Sequence, residues 1–192
     1  MKYNKVNSKI IGELSGILGE DYVTYDPITL NEYGKDHTEN LVFPPEVLVK
    51  PSSTDQVARI LLLAQNENIP VTAIGARTGL SGGCLSVHGG IGISMERFNK
   101  IIHIDCDNMQ VVVEPGVITE ELHNEVAKDG LYYAPDPASK GSCFIGGNIA
   151  ENSGGPRALK YGVTKDFVLN LEVVLPDGNI IQTCLLYTSD AA

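Results

Sequence analysis

The sequence predicts an α+β fold of two lobes, a small β-α-β lobe followed by a larger, mainly antiparallel one. Three observations predict it. Val47–Val49, Thr54–Asn66 and Val71–Ile74 read as strand, helix and strand in direct succession. Beyond about residue 105, short apolar runs separated by glycine and proline replace that alternation. Pro176-Asp177-Gly178, lying between two more apolar runs, then signals a hairpin turn.

Each element follows from its residues. Ile10, Ile11, Leu14, Ile17 and Leu18 recur at helical spacing, so the N-terminal segment, residues 1–40, opens with an amphipathic helix closed near Gly19. An acidic and polar connection leads to Phe43-Pro44-Pro45-Glu46, whose prolines favour extended backbone and feed the strand Val47–Val49. The main domain is assigned to residues 41–183. Ser53 and Gln56 have capping-box spacing, and Val57, Ile60, Leu61 and Ala64 follow at i, i+3, i+4 and i+7, which predicts a helix over Thr54–Asn66. With Val71–Ile74 it makes a β-α-β unit, for which parallel strands are the default. Ile91–Met95, Ile101–Ile104 and Gln110–Glu114 are further strands, the last stopped by Pro115-Gly116. Thr119, Glu120 and Glu121 read as the cap and acidic first turn of a helix ending near Gly130. Ala134–Tyr161 reads as one long loop, a length that implies either function or an unrecognised helix. The hairpin strands are Leu169–Leu175 and Asn179–Thr183.

Composition removes several classes of function. With 192 residues, 43% hydrophobic and 20% charged, the chain is globular rather than disordered. No stretch approaches the roughly 18 apolar residues of a membrane span. The start MKYNKVNSK lacks the apolar core of a signal peptide, so a cytoplasmic or at most membrane-peripheral protein is expected. Cys84, Cys106, Cys143 and Cys184 show no metal-ligand spacing, which favours free thiols and no metal. A net charge of −10 argues against nucleic acid as a partner.

Two segments carry the chemistry. Gly75-Ala76-Arg77-Thr78-Gly79-Leu80-Ser81-Gly82-Gly83 directly follows a strand and combines four glycines, two hydroxyls and an arginine. Glycines allow positive φ, which turns successive N–H groups toward one point and makes an anion site without net positive charge. The run lacks the Gly-Lys-Ser/Thr ending of a P-loop, and Arg77 and Leu80 occupy positions where the dinucleotide fingerprint needs glycine. The second segment runs from Pro135-Asp136-Pro137 through Ser142 and Ile145-Gly146-Gly147-Asn148 to Asn152-Ser153-Gly154-Gly155. Its neutral amides and hydroxyls suit a flat heterocycle with carbonyls and ring nitrogens better than a metal.

The stretches PSSTDQVARIL, GARTGLSGG, VVVEPGV, YYAPDPAS, GSCFIGGNIAENSGGPRALKYGVT and LNLEVVLPDG resemble the FAD-binding (PCMH-type) domain of the vanillyl-alcohol-oxidase superfamily, in particular the group of glycolate oxidase and D-lactate dehydrogenase. The GSC-x-IGGN stretch also resembles D-2-hydroxyglutarate dehydrogenase. The resemblance implies two lobes with FAD between them. It places the pyrophosphate on backbone amides of Gly75–Gly83 and the flavin and ribityl chain along Pro135–Pro137 and Ser142–Gly155, with support from Pro115, Gly116, Tyr161 and Gly162. It also implies oxidation of a small D-2-hydroxy acid, with hydride passing from the substrate α-carbon to flavin N5 while a base takes the hydroxyl proton. The cofactor supplies the difficult chemistry and the protein positions it. A free-standing flavin-binding module is the rival from outside enzymology.

The chain departs from the family in three places. Arg77 stands where many relatives have glycine, and a supporting role near a phosphate is expected for it. No histidine lies within Gly75–Gly83, and His88 falls beyond it, so FAD is expected to be held non-covalently. Relatives continue into a substrate-binding cap domain that carries their substrate and catalytic residues, whereas residues 184–192 do not fit the family. The chain is therefore expected to be an N-terminal fragment with a non-native tail. No catalytic residue is assigned: His37, His103 and His123 are read as structural, with His123 on a helix surface, and Asp105-Cys106-Asp107-Asn108 as a solvated turn.

Overall fold

The computed structural model describes residues 3–183, so the expected tail at 184–192 and Cys184 lie outside the described residues. Helix α1 spans Ser8–Leu18, where the Asn7 side chain accepts from the Ile10 N–H and Gly19 ends the helix at φ 90°. It buries Ile10, Leu14 and Leu18.

The connection after α1 is more structured than its composition suggests. A 3-10 turn at Glu20–Tyr22 leads into a short strand β1, Val23–Thr24, and helix α2, Pro27–Tyr33. Asp26 caps α2 by accepting from the Thr29 N–H, and Pro27 occupies its first turn, where a missing N–H costs nothing.

Strands β2 (Val47–Val49), β3 (Val71–Ile74) and β4 (Ile91–Ser94) complete a four-stranded sheet in the order β1-β2-β4-β3. β2 and β3 both run parallel to β4, with Val47 and Val71 opposite Ile91, while β1 is antiparallel to β2. β2 and β4 are buried along their whole length, the pattern of strands covered on both faces. Helix α3, Thr54–Asn66, matches its expected bounds. Ser53 Oγ accepts from the Gln56 N–H, while Gln56 Oε1 turns back to the Ser52 N–H rather than to Ser53.

The alternation of the strands decides what each face holds. Val47, Val49, Ile91 and Ile93 pack with Ile10, Leu14 and Leu18 of α1 and Ile60 and Ala64 of α3. Leu48 and Ile74 join Leu30 of α2, with Tyr33 and Cys84 against them. Fully burying one such aliphatic side chain stabilises by roughly 1.5–3 kcal/mol, so α1 is part of this lobe's core.

The second lobe contains a hairpin of β5, Ile101–Asp105, and β6, Gln110–Val113, joined by an exposed turn in which Asp105 accepts from the Asn108 N–H. Helix α4, Thr119–Lys128, packs Leu122 and Val126 on Val117 and Ile145, flanked by Ile101, Ile104, Val111 and Val113. Thr119 is not its cap. Ile118 occupies that position without a side-chain bond, and Thr119 is fully buried with its hydroxyl used elsewhere.

The expected loop over Ala134–Tyr161 contains two helices, α5 (Ile145–Glu151) and the single turn α6 (Ala158–Tyr161). Gly146 and Gly147 hide α5 from a periodicity reading. The helix is held by tertiary bonds, Ile145 N–H to Val117 O at 2.9 Å and Gly146 N–H to Pro115 O at 2.7 Å. The last hairpin pairs β7, Glu172–Val174, with β8, Ile180–Gln182, and Gly178 in its turn has φ 82°. This hairpin returns to α3: Thr54 Oγ1 donates to Glu172 at 2.6 Å, and a Cβ on Gly178 would lie 3.0 Å from Ala58 O.

Candidate cofactor site

The first glycine loop leaves β3 at the carboxyl end of the parallel strands, the end where open α/β sheets bind ligands. It is moored to the segment after α2. The His37 N–H donates to Gly79 O at 3.0 Å, and Asp36 accepts from the Gly82 N–H at 3.1 Å and from the Thr38 N–H at 2.8 Å. Gly82 has a positive φ of 73°, which glycine adopts without strain. Among the described residues, the N–H groups of residues 77–81 meet no intramolecular acceptor, and a Cβ on Gly75 or Gly79 would enter open space. Ala76 and Thr78 are half-buried, Leu80 is exposed. Arg77 turns to α2, placing Nη1 2.6 Å from Glu32 O and its guanidinium 4.3 Å from the centre of the Tyr33 ring.

The second segment is pinned by one face of α4. Thr119 and His123, one turn apart, hold three points of it. Thr119 Oγ1 accepts from Asn148 Nδ2 at 2.6 Å and lies 3.3 Å from Cys143 O, and His123 Nε2 lies 2.8 Å from Pro135 O. His123 is thus partly buried and bonded, correcting its expected place on a helix surface. Asn148 is itself buried, and Ile145 and Gly146 spend their N–H groups on the Pro115–Val117 turn. Gly116 is packed so closely on Met95 and Phe98 that a Cβ would lie 2.6 Å from Phe98 O. Gly147 faces open space.

Further along, Asn152 closes α5 in the left-handed region at φ 51°, and its Oδ1 accepts from the Lys165 N–H at 3.0 Å. Ser153 O accepts from both the N–H and the hydroxyl of Thr164. A Cβ on Gly154 would meet Ala158 and Val163 at 3.5 Å, and Gly155, at φ 144°, lies so close to Asp136 that a Cβ would overlap its backbone. Asp136 pairs with Arg157 at 3.2 Å. Pro135 is buried and Pro137 half-buried; Ser142 is exposed, its hydroxyl turned back to Ser139 O. Tyr161 stacks edge-on with Tyr132 at 5.9 Å, and Gly162 packs on Asp166.

The structure brings the two glycine segments together. Ser81 Oγ donates to Glu151 at the end of α5 at 2.9 Å, and Gly83 packs against the same carboxylate. Glu151 does this joining, while Asp36 moors the first segment and Thr119 and Arg157 hold the second, and sequence reasoning missed all four. Only Thr119 carried a local signal, its place before a helix, and that pointed to a different role. Burial pushes the Tyr133 phenol up to about 12, and burial with the nearby Asp36 carboxylate raises the Cys84 thiol. The arrangement offers hydrogen-bond donors and shape.

Comparison with known proteins agrees with this geometry. The family model described as FAD binding domain matches residues 45–183. The chain belongs to that family. This FAD-binding domain is 41% identical over 191 residues to a D-lactate dehydrogenase of Anaerostipes hadrus, covering 94% of the chain and 38% of the relative. It is 43% identical over 151 residues to the glycolate oxidase subunit GlcD of Bacillus subtilis, covering 79% of the chain and 32% of the relative. The chain thus spans about a third of the length of these curated relatives. The solved structure of an alkyldihydroxyacetonephosphate synthase superposes with a TM-score of 0.84 at 22% identity, over 95% of this chain and 35% of that one, and so shares its fold.

FAD is the cofactor the family implies, and the residues present fit it. The unspent N–H groups of 77–81 suit a pyrophosphate. Gly75, Gly79 and Gly147 leave space that side chains would fill, and the buried hydroxyls Thr38 Oγ1 and Ser86 Oγ, in the segments flanking the first loop, meet no partner. Among the described residues, no helix is long and apolar enough to cross a membrane.

Proposed function

We propose that this FAD-binding domain is the cofactor-holding part of a flavin-dependent D-2-hydroxy-acid dehydrogenase of the D-lactate or glycolate type, with FAD held non-covalently. The observation that carries the reading is the joining of two donor-rich segments, residues 75–83 and 134–162, through Ser81 and Glu151. The N–H groups of residues 77–81 hold the pyrophosphate. Pro135–Pro137, the open side of Gly147 and the backbone of Gly154–Gly155 line the flavin, kept in place by Thr119, His123 and the Asp136–Arg157 pair. Bound FAD supplies the acceptor for the substrate's hydride.

Substrate-binding and proton-accepting groups belong, in this reading, to sequence outside the chain, and the site of action is cytoplasmic, in solution or at a membrane surface. Two measurements test it. Titrating FAD into the chain while following flavin fluorescence should show saturable binding that Gly79→Val weakens at least tenfold. Joined to the rest of its reading frame, the protein should reduce a dye acceptor with a D-2-hydroxy acid from a panel of D-lactate, glycolate and D-2-hydroxyglutarate. Binding that is indifferent to Gly79→Val, or no turnover with any of the three, refutes it.

A further inference from the structure

Arg77 combines two features that work against each other. Its backbone sits at φ 61°, in the left-handed region that an L side chain enters at a cost and glycine enters freely. Its side chain reaches across to α2 and makes two contacts there. Nη1 donates to Glu32 O at 2.6 Å, one of the last carbonyls of the helix, which have no partner within it and favour a cation. The guanidinium also lies 4.3 Å from the centre of the Tyr33 ring.

Tyr33 extends the linkage. Its hydroxyl donates to Glu96 at 2.7 Å, and Glu96 pairs with Lys50, which itself lies 5.4 Å from the centre of the Tyr33 ring. Lys50 follows β2, Glu96 follows β4 and Arg77 follows β3. One chain of contacts thus ties the carboxyl ends of all three parallel strands to the last turn of α2. Immediately beyond that turn lie His37 and Asp36, which hold Gly79 O and the Gly82 N–H.

We propose that Arg77 is a positioning residue. It clamps the first glycine loop to α2 through Tyr33 and Glu32, and so sets the curvature that points the N–H groups of 77–81 at a pyrophosphate, without itself touching phosphate. This deepens the FAD reading and rests on it. The side-chain contacts offset a backbone conformation that glycine would hold at no cost, and they trade the loop's freedom for a fixed shape. Because the guanidinium is spent on the helix end and the ring, it contributes direction to the loop and no direct charge to the ligand.

The experiment compares the chain with R77G, Y33L, Y33F and the double variant R77G/Y33L. Amide exchange at Gly82 and His37 is read by NMR without FAD, and the FAD dissociation constant is read at low and high salt. The clamp predicts that R77G and Y33L each speed exchange at both amides and weaken FAD by a similar factor, about three- to tenfold. The double variant should be no worse than either single one, Y33F should behave as wild type, and the salt dependence of binding should be unchanged. R77G relieves backbone strain, so its fold is secure even if Y33L proves unstable. If R77G weakens FAD and flattens the salt dependence while both amides stay protected and Y33L has no effect, Arg77 binds phosphate and the clamp is refuted. If wild-type protein takes up no FAD, the FAD reading fails, while the exchange measurements still decide whether the clamp exists.

Discussion

Replacing Thr119 by Val tests how the second segment is held. The change keeps the shape of a fully buried side chain and removes only its hydroxyl. That hydroxyl accepts from Asn148 Nδ2 at 2.6 Å and lies 3.3 Å from Cys143 O. Without it the Asn148 amide, itself buried, is left with an unpaired donor, which costs about 1–3 kcal/mol. Taking about 2 kcal/mol and the usual scaling for a chain of this size, Tm should fall by roughly 4–8 °C. Asn148→Ala in the Thr119→Val background removes the stranded amide, so the double variant should be less unstable than the sum of the singles by about 1 kcal/mol. Urea denaturation of the four proteins at neutral pH measures this directly. If Thr119→Val falls within about 0.5 kcal/mol of wild type, or the two losses simply add, the network does not hold α5 in place.

Other expected outcomes are equally open to measurement. Gly155→Ala puts a Cβ into the backbone of Asp136 at φ 144°, and should destabilise by about 3 kcal/mol, whereas Gly147→Ala enters open space and replaces a helical glycine, so it should raise urea stability by up to about 1 kcal/mol while weakening FAD. His123→Phe keeps the ring beside Tyr133 but loses the contact with Pro135 O, and a loss of about 1 kcal/mol in urea is expected. Burial acts to raise the Glu96 carboxyl, but bonds from Lys50 and Tyr33 outweigh it and hold the group below the usual carboxylate range. A depressed folded value gives stability that is present above the unfolded pKa and lost as pH falls through the folded one. Urea midpoints should therefore drop below about pH 4.5, and Glu96→Gln should flatten that acid limb.

The first lobe was legible because its signals are local. Ser53, Gln56 and the spacing from Val57 to Ala64 specify α3 without reference to any other element, and the fully apolar β2 announces burial on both faces. Helix α2 was also written in the sequence, as Asp26 followed by Pro27, but its acidic surroundings masked the apolar face. Helix α5 could not be read in that way. Gly146 and Gly147 oppose helix formation, and what overcomes them are hydrogen bonds donated by Ile145 and Gly146 to carbonyls of the Pro115–Val117 turn. For the candidate site, the glycine segments were visible through composition and family resemblance. The groups that join them and hold each in place were not, since Ser81 with Glu151, Asn148 with Thr119 and Arg77 with Glu32 each link residues far apart in the chain.

The hairpin of β7 and β8 rests on α3, where Glu172 meets Thr54 across a separation of 118 residues. Both glycine segments lie in the stretch of chain between those two points. During synthesis the parallel sheet and α1 can assemble well before this closure, since their contacts need nothing beyond Met95. Closing a loop of this length carries an entropic cost that the contacts of the hairpin with α3 help to offset. A chain ending before Glu172 would thus keep the contacts of the sheet and lack the clasp that spans the stretch carrying both glycine segments.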